Sequence, residues 1–185
     1  MGNIDFKTVD DIQNHLDKQK YIANRELSTS VFLSLKMNKP IFLEGEPGVG
    51  KTEIAKALSK IMNTELIRLQ CYEGLDVHNA IYEWNYSRQI LQIRMMEVEG
   101  KSDQETISSE IFGSKFLIKR PLYQAIDFEG SSPPVLLIDE LDRADEEFEA
   151  FLLEILSDYQ ISIPEVGTIK ADSPPIVVIT SNRTR

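Results

Sequence analysis

Apolar residues in the first forty positions return at mostly helical intervals: Ile12, Leu16, Ile22, Leu27, Val31, Phe32 and Leu35. The spacing predicts two amphipathic helices with a break near Tyr21 to Asn24, and Pro40 ends the pattern. Ile41, Phe42 and Leu43 follow as an unbroken apolar run, the pattern of a strand buried on both faces, and lead directly into glycines. From Thr52 onward Ile54, Ala55, Leu58, Ile61 and Met62 share one face of a 3.6-residue period, which predicts a helix. The local order is strand, glycine loop, helix.

Glu65 to Gln70 alternates as a second strand, and Val135 to Ile138 and Ile176 to Thr180 are apolar throughout. Both of these later runs open with Ser-Pro-Pro. Proline is tolerated at the first residue of a central strand and not in its interior, so Pro134 and Pro175 mark strand starts. Between them Phe148, Phe151, Leu152, Ile155 and Leu156 fall on one helical face. Strands alternating with helices imply an α/β fold with a mostly parallel sheet covered on both sides. Gln160 to Lys170 reads as a β-hairpin, with Ile161 and Ile163 alternating, a turn at Gly167, and Thr168 and Ile169 returning. Residues 71–125 exceed a minimal strand-helix alternation and carry Tyr82, Trp84 and Tyr86, followed by the polar stretch EGKSDQETISSE, read as a solvated loop. There is no internal repeat.

The chain has 185 residues, 42% of them apolar, which suits one domain with a substantial core. Its 20 Lys and Arg against 30 Asp and Glu leave a net charge of −10, which argues against a surface that tracks nucleic-acid phosphates and against a polybasic membrane anchor. Cys71 is the single cysteine, so neither an internal disulfide nor a multi-Cys zinc site is available, and a reducing compartment fits. The first twenty residues lack a secretory h-region, and no window reaches the roughly 20 apolar residues of a membrane span. The expectation is a cytoplasmic domain.

After the first strand comes GEPGVGKT: Gly45, Glu46, Pro47, Gly48, Val49, Gly50, Lys51 and Thr52. This matches G-x-x-x-x-G-K-[ST] in full. Glycines let the backbone turn successive N–H groups inward around a phosphate, and a helix starting near Lys51 adds its free amides and dipole. In that pattern Lys51 reaches the β- and γ-phosphates and the Thr52 hydroxyl ligates magnesium. A plain glycine turn is the alternative, but the strand before and the helix after supply the context the motif requires.

The strand Val135 to Ile138 delivers Asp139 and Glu140 to its carboxyl end, where ligands of open parallel sheets sit. Asp139 is the candidate to hold magnesium. Glu140 is the candidate general base that activates water. Phosphotransfer kinases do not need that second carboxylate, whereas water-attacking ATPases do. No Asn-Lys-x-Asp guanine signature occurs, which disfavours a GTPase. Asn182, at the tip of the last strand, offers donor and acceptor to a γ-phosphate or water.

GEPGVGKT, LLIDELDRAD and VVITSN resemble the Walker A, Walker B and sensor 1 motifs of AAA+ ATPases, and the finer wording resembles the MoxR group. LQCYEGLDVHNAIYEWNYSRQ together with FLIKRPLYQAI is similar to the CoxD-like subgroup, associated with carbon monoxide dehydrogenase maturation. The resemblance runs from about Tyr21 to the last residue. It implies a P-loop NTPase three-layer sandwich over residues 1–185, with a helical segment at 1–39, a helix-2 insertion within 71–125 and a β-hairpin before sensor 1. It also implies ATP and Mg2+ as ligands, with Tyr21, Ile22 and Ala23 beside the adenine and Gln70 restraining Glu140. A client protein such as a metalloenzyme, a VWA-domain partner and a hexameric ring follow from the same resemblance. The family continues beyond sensor 1 into an arginine finger and a helical lid, while Arg185 lies three residues after Asn182. A core without those parts is expected to bind nucleotide weakly and turn it over slowly.

Two other classes stay open: a nucleotide-gated protein-binding module with little turnover, and a DNA-remodelling AAA+ protein. The net charge and the lack of a basic helix-turn-helix weigh against the latter. Trp84, Tyr82 and Tyr86 read as packing rather than base stacking, because few cations accompany them. His15 and His78 lack the partners of a transition-metal site. Arg143 has two candidate partners, a neighbouring subunit's carboxylates and Asp145, and Asp145 is the expected one.

Overall fold

The computed structural model describes residues 6–98, 100, 108 and 110–182. The polar stretch expected as a solvated loop lies largely outside these residues, as do residues 183–185. Two helices open the chain, α1 (Val9–Lys18) and α2 (Arg25–Met37), each started by a side-chain cap: Thr8 accepts from the Asp11 N–H and Asn24 from the Leu27 N–H. The expected break separates them. Strand β1 (Ile41–Glu44), the glycine loop, helix α3 (Lys51–Met62) and strand β2 (Leu66–Gln70) follow.

Between β2 and the acidic strand β5 (Val135–Asp139) lie α4 (Val77–Ile81), β3 (Tyr82–Trp84), α5 (Tyr86–Val98), β4 (Leu117–Lys119) and α6 (Pro121–Ile126). Helix α7 (Glu146–Asp158) leads into the hairpin β6 (Gln160–Ile163) and β7 (Gly167–Lys170), and β8 (Ile176–Ser181) closes the set. The hairpin occupies the segment that alternation indicated, with Gly167 at φ +101° entering the return strand.

The central sheet has four strands in the order β1-β8-β5-β2, all parallel. Pro134 and Pro175 stand immediately before β5 and β8, and the Pro134 carbonyl accepts from the Ile176 N–H at 2.9 Å, so the prolines sit where no ladder N–H is required. Alternation along β5 splits the core. Val135 and Leu137 face the cluster built on α1, α2 and α3, while Leu136 and Ile138 face the cluster built on α6, α7 and the hairpin. Helices thus cover both faces, the three-layer α/β arrangement that strand-helix alternation implies.

One expectation is corrected at β1. The run Ile41-Phe42-Leu43 reads as buried on both faces, yet Phe42 is 54% exposed. Among the described residues β1 is one of the two edge strands of its sheet, with β8 on one side only, and its Phe42 face is incompletely covered. Continuous apolarity does not separate an edge strand from a central one.

Of the aromatic residues expected to pack in the 71–125 segment, Tyr82 and Trp84 do so and Tyr86 does not. Strands β3 and β4 pair antiparallel, and buried Tyr82 and Trp84 make edge-on contacts with each other and, through Trp84, with Phe112. Tyr86 is exposed. His15 stacks edge-on against Phe6 and His78 against Tyr82, each a packing role.

Candidate functional site

The carboxyl ends of β1, β5 and β8 and the start of α3 converge on one cleft of about 280 Å3, lined by Pro47, Gly48, Gly50, Lys51, Thr52, Glu53, Asp139, Glu140, Thr180 and Asn182. Register explains the convergence: all sheet strands run parallel, so their tips lie along one edge. Gly48 and Gly50 have φ of +85° and +91°, a region that residues with a Cβ rarely adopt. Gly50 caps α3 without any side-chain hydrogen bond to the first-turn amides, which leaves donors directed at the cleft.

Lys51 folds back over the loop. Its Nζ donates to the carbonyls of Gly45 at 2.7 Å and Glu46 at 2.8 Å, and to Asn182 Oδ1 at 3.1 Å. The Asn182 N–H donates to Asp142 Oδ1 at 2.9 Å, which fixes the tip of β8. A residue from the P-loop helix and one 131 positions later therefore meet at the same point.

Asp139 is 4% exposed and fully engaged. Its Oδ1 accepts from Thr52 Oγ1 at 3.0 Å and from Thr180 Oγ1 at 2.6 Å, and its Oδ2 accepts from Arg68 Nη2 at 2.5 Å. The Thr180 hydroxyl in turn accepts from the Glu140 N–H at 3.0 Å. The Thr52 hydroxyl and the Asp139 carboxylate are hard oxygen donors side by side, the donor type of Mg2+, which keeps several of its own waters and needs few protein ligands. The donor set fits that ion.

Glu140 has φ +58°, uncommon for a residue with a Cβ and of the kind held in place only where surrounding contacts over-determine it. Its Oε2 accepts from Gln70 Nε2 at 3.1 Å and from Arg143 Nη1 at 3.2 Å. The expected pairing of Arg143 with Asp145 is corrected. Asp145 is the N-cap of α7, with Oδ1 accepting from the Phe148 N–H at 2.8 Å, and Arg143 turns to Glu140 instead.

The three residues before the first strand separate. Tyr21 is half-buried, its hydroxyl donating to the Gly50 carbonyl at 3.4 Å; Ile22 is 94% exposed; Ala23 is buried in the core. Val49 in the loop is exposed. Sequence reasoning missed Arg68 and Thr180. Arg68 stands two residues before Gln70 and therefore on the same face of β2, a signal that alternation carries. The role of Thr180 depends on strand register and has no sequence signal of its own.

Beside this cluster Cys71 is buried, and its N–H donates to the Asp139 carbonyl at 2.8 Å. Burial first, then the charges of Asp139, Asp142, Glu140 and Glu149, push its thiol from 9.0 up to about 12.

A parallel sheet between two helical layers, with a glycine-rich loop entering a helix and an acidic strand end beside it, defines an α/β P-loop domain. Residues 40–185 match the family described as AAA domain (dynein-related subfamily), and the chain belongs to that family. Among curated proteins it is similar to an uncharacterized protein of Staphylococcus haemolyticus, 29% identical over 170 residues that cover 89% of this chain and 54% of the relative. An uncharacterized protein of Staphylococcus epidermidis is 28% identical over 148 residues, covering 79% and 47%. The chain spans about half the length of these curated relatives. A solved structure from Cytophaga hutchinsonii, named a "putative ATPase", shares the fold at a TM-score of 0.58 and 21% identity, covering 96% of this chain and 46% of that one.

Proposed function

We propose that the chain is the ATP-binding and ATP-hydrolysing core of a MoxR-type AAA+ ATPase acting with Mg2+. The observation that carries the reading is the meeting of Lys51, Thr52, Asp139, Glu140 and Asn182 at one cleft beside the free amides of α3. Lys51 exchanges its loop carbonyls for phosphate oxygens, a charge-assisted replacement of neutral acceptors. Thr52 and Asp139 hold the metal, which when bound neutralises phosphate charge. Asn182 contacts the γ-phosphate while keeping its own backbone bond to Asp142.

Glu140 takes a proton from the attacking water, and for that its carboxylate has to leave Gln70 and Arg143. Gln70 in this reading is a restraint: its bond to Glu140 keeps the carboxylate from the attacking water until a client engages. Gly45, Glu46, Pro47, Gly48, Val49 and Gly50 form the phosphate cradle. Tyr21, Ile22 and Ala23 border the adenine, a role supported by the Tyr21 hydroxyl on Gly50 and by the open surface over Ile22.

The whole protein remodels or matures a client, with a metalloenzyme client of the CoxD-like kind, a VWA-domain partner and a hexameric ring as the assembly; the resemblance of residues 69–89 and 116–126 supports this. A cytoplasmic location accords with it, and among the described residues no helix is long and apolar enough to cross a membrane. A second reading, a nucleotide-gated binding module, is favoured by the double restraint on Glu140. Glu140→Gln separates the two. In the assembled protein this variant is expected to retain ATP binding while turnover falls by roughly 100-fold or more, the range of a lost general base. Unchanged turnover removes Glu140 from the role of base.

A further inference from the structure

Arg68 reaches the site although neither the phosphate-loop pattern nor the water-activation chemistry requires it. It lies on β2 opposite Leu137 of β5, two positions short of the pair Gln70 and Asp139, so its side chain has to reach diagonally along the strand. It does so: Nη2 donates at 2.5 Å both to Asp139 Oδ2 and to Gln70 Oε1. The guanidinium side chain is 53% exposed while the carboxylate it meets is 5% exposed, so a half-exposed cation is directed at a buried anion.

The bond to Gln70 has a second effect. A carboxamide has one oxygen that accepts and one NH2 that donates. With Oε1 engaged by Arg68, Nε2 faces the other way, onto Glu140 Oε2 at 3.1 Å. Arg68 thereby orients the amide that holds Glu140. A continuous chain runs Asp139–Arg68–Gln70–Glu140, joining the carboxylate suited to a metal with the carboxylate suited to water.

We propose that Arg68 is a positioning residue that occupies Asp139 as a resident counter-cation and couples the arrival of a divalent cation there to the release of Glu140, an inference that rests on the magnesium-nucleotide reading of the site. A dication near Asp139 repels the guanidinium and removes the reason for it to stay on Oδ2. Once it withdraws, Gln70 Oε1 loses its donor, the amide is held only through Nε2, by Glu140 and by the longer contacts with the Cys71 and Asp139 carbonyls at 3.4 and 3.5 Å, and its hold on Glu140 loosens. The restraint then reads metal occupancy through side chains alone.

The test is a pair of measurements on the full 185-residue chain: Mn2+ binding followed by electron paramagnetic resonance with and without ADP, and the metal-free side-chain amide spectrum of 15N-glutamine-labelled protein. Arg68→Met is expected to bind Mn2+ roughly tenfold more tightly than wild type, the size set by one charge facing a dication across a partly solvated gap. Arg68→Lys keeps the charge and is expected to stay within about twofold of wild type, since repulsion depends on charge alone. In both variants the Gln70 amide pair, assigned by its absence from Gln70→Ala, is expected to move to the position of a solvent-exposed amide. Equal Mn2+ affinity in wild type and Arg68→Met, or an unmoved Gln70 pair, overturns the role of Arg68 and leaves the nucleotide reading standing. Wild-type Mn2+ affinity that ADP does not raise overturns the nucleotide reading, and the metal-free spectrum still decides the hold of Arg68 on Gln70.

Discussion

Cys71 reports the field of the site from one residue beyond β2. Its thiol is held neutral by burial and by four nearby carboxylates, with its titration raised from 9.0 to about 12. A thiolate is the species that alkylates, so at pH 8 iodoacetamide is expected to modify Cys71 in the folded chain roughly a thousandfold more slowly than in the unfolded one, from ionisation alone. Equal rates in the two states contradict the buried, negatively biased environment. The sign for stability follows from the same shift. The folded-state value lies above the unfolded one, so the contribution is fully present below pH 9.0 and is lost as pH rises towards about 12. At this scale placement was legible where the local pattern is strong: Lys51, Thr52, Asp139, Glu140 and Asn182 each stand at a strand end or a loop-helix junction, and all five line one cleft. Thr180 was not legible, and Arg68 only in the strand face it shares with Gln70, because their partners are chosen by which strands lie side by side and in which register. Arg143 misled for a related reason, since a carboxylate two residues away was already committed to capping a helix.

Elements differ in how firmly their pattern determined them. Strand β5 is buried at every position, as its unbroken apolar run implies, whereas β1 carries a similar run and leaves Phe42 half in solvent. The difference belongs to sheet order, which composition does not encode. It has a measurable consequence in chemical denaturation. Leu137→Ala, at a site with 0% exposure, is expected to lower the unfolding free energy by roughly 3–5 kcal/mol, the transfer and cavity cost of a deep leucine. Phe42→Ala is expected to cost about 1 kcal/mol or less, as exposed positions do. Similar losses at both sites contradict the edge position of β1. The short β3–β4 pair was not legible either: three-residue strands give too few alternations to stand out, and the aromatic content of the segment was the stronger signal.

Across the whole molecule the net charge of −10 is concentrated. Residues 139–149 hold seven carboxylates and one Arg, and the structure divides them between the cleft and the first turn of α7, where Glu146, Glu147 and Glu149 favour the positive end of the helix dipole. The cleft itself balances its carboxylates with Lys51, Arg68, Arg143 and the amides of α3. The acidic total therefore says little about what enters the cleft, and the local arrangement suits a polyphosphate with its metal. That is the central claim, and calorimetric titration of ATP with Mg2+ into the wild-type chain and into Lys51→Ala tests it most directly. Saturable binding by wild type and no measurable binding by Lys51→Ala is the expected result; undiminished affinity in Lys51→Ala contradicts the assignment of the loop as the phosphate site.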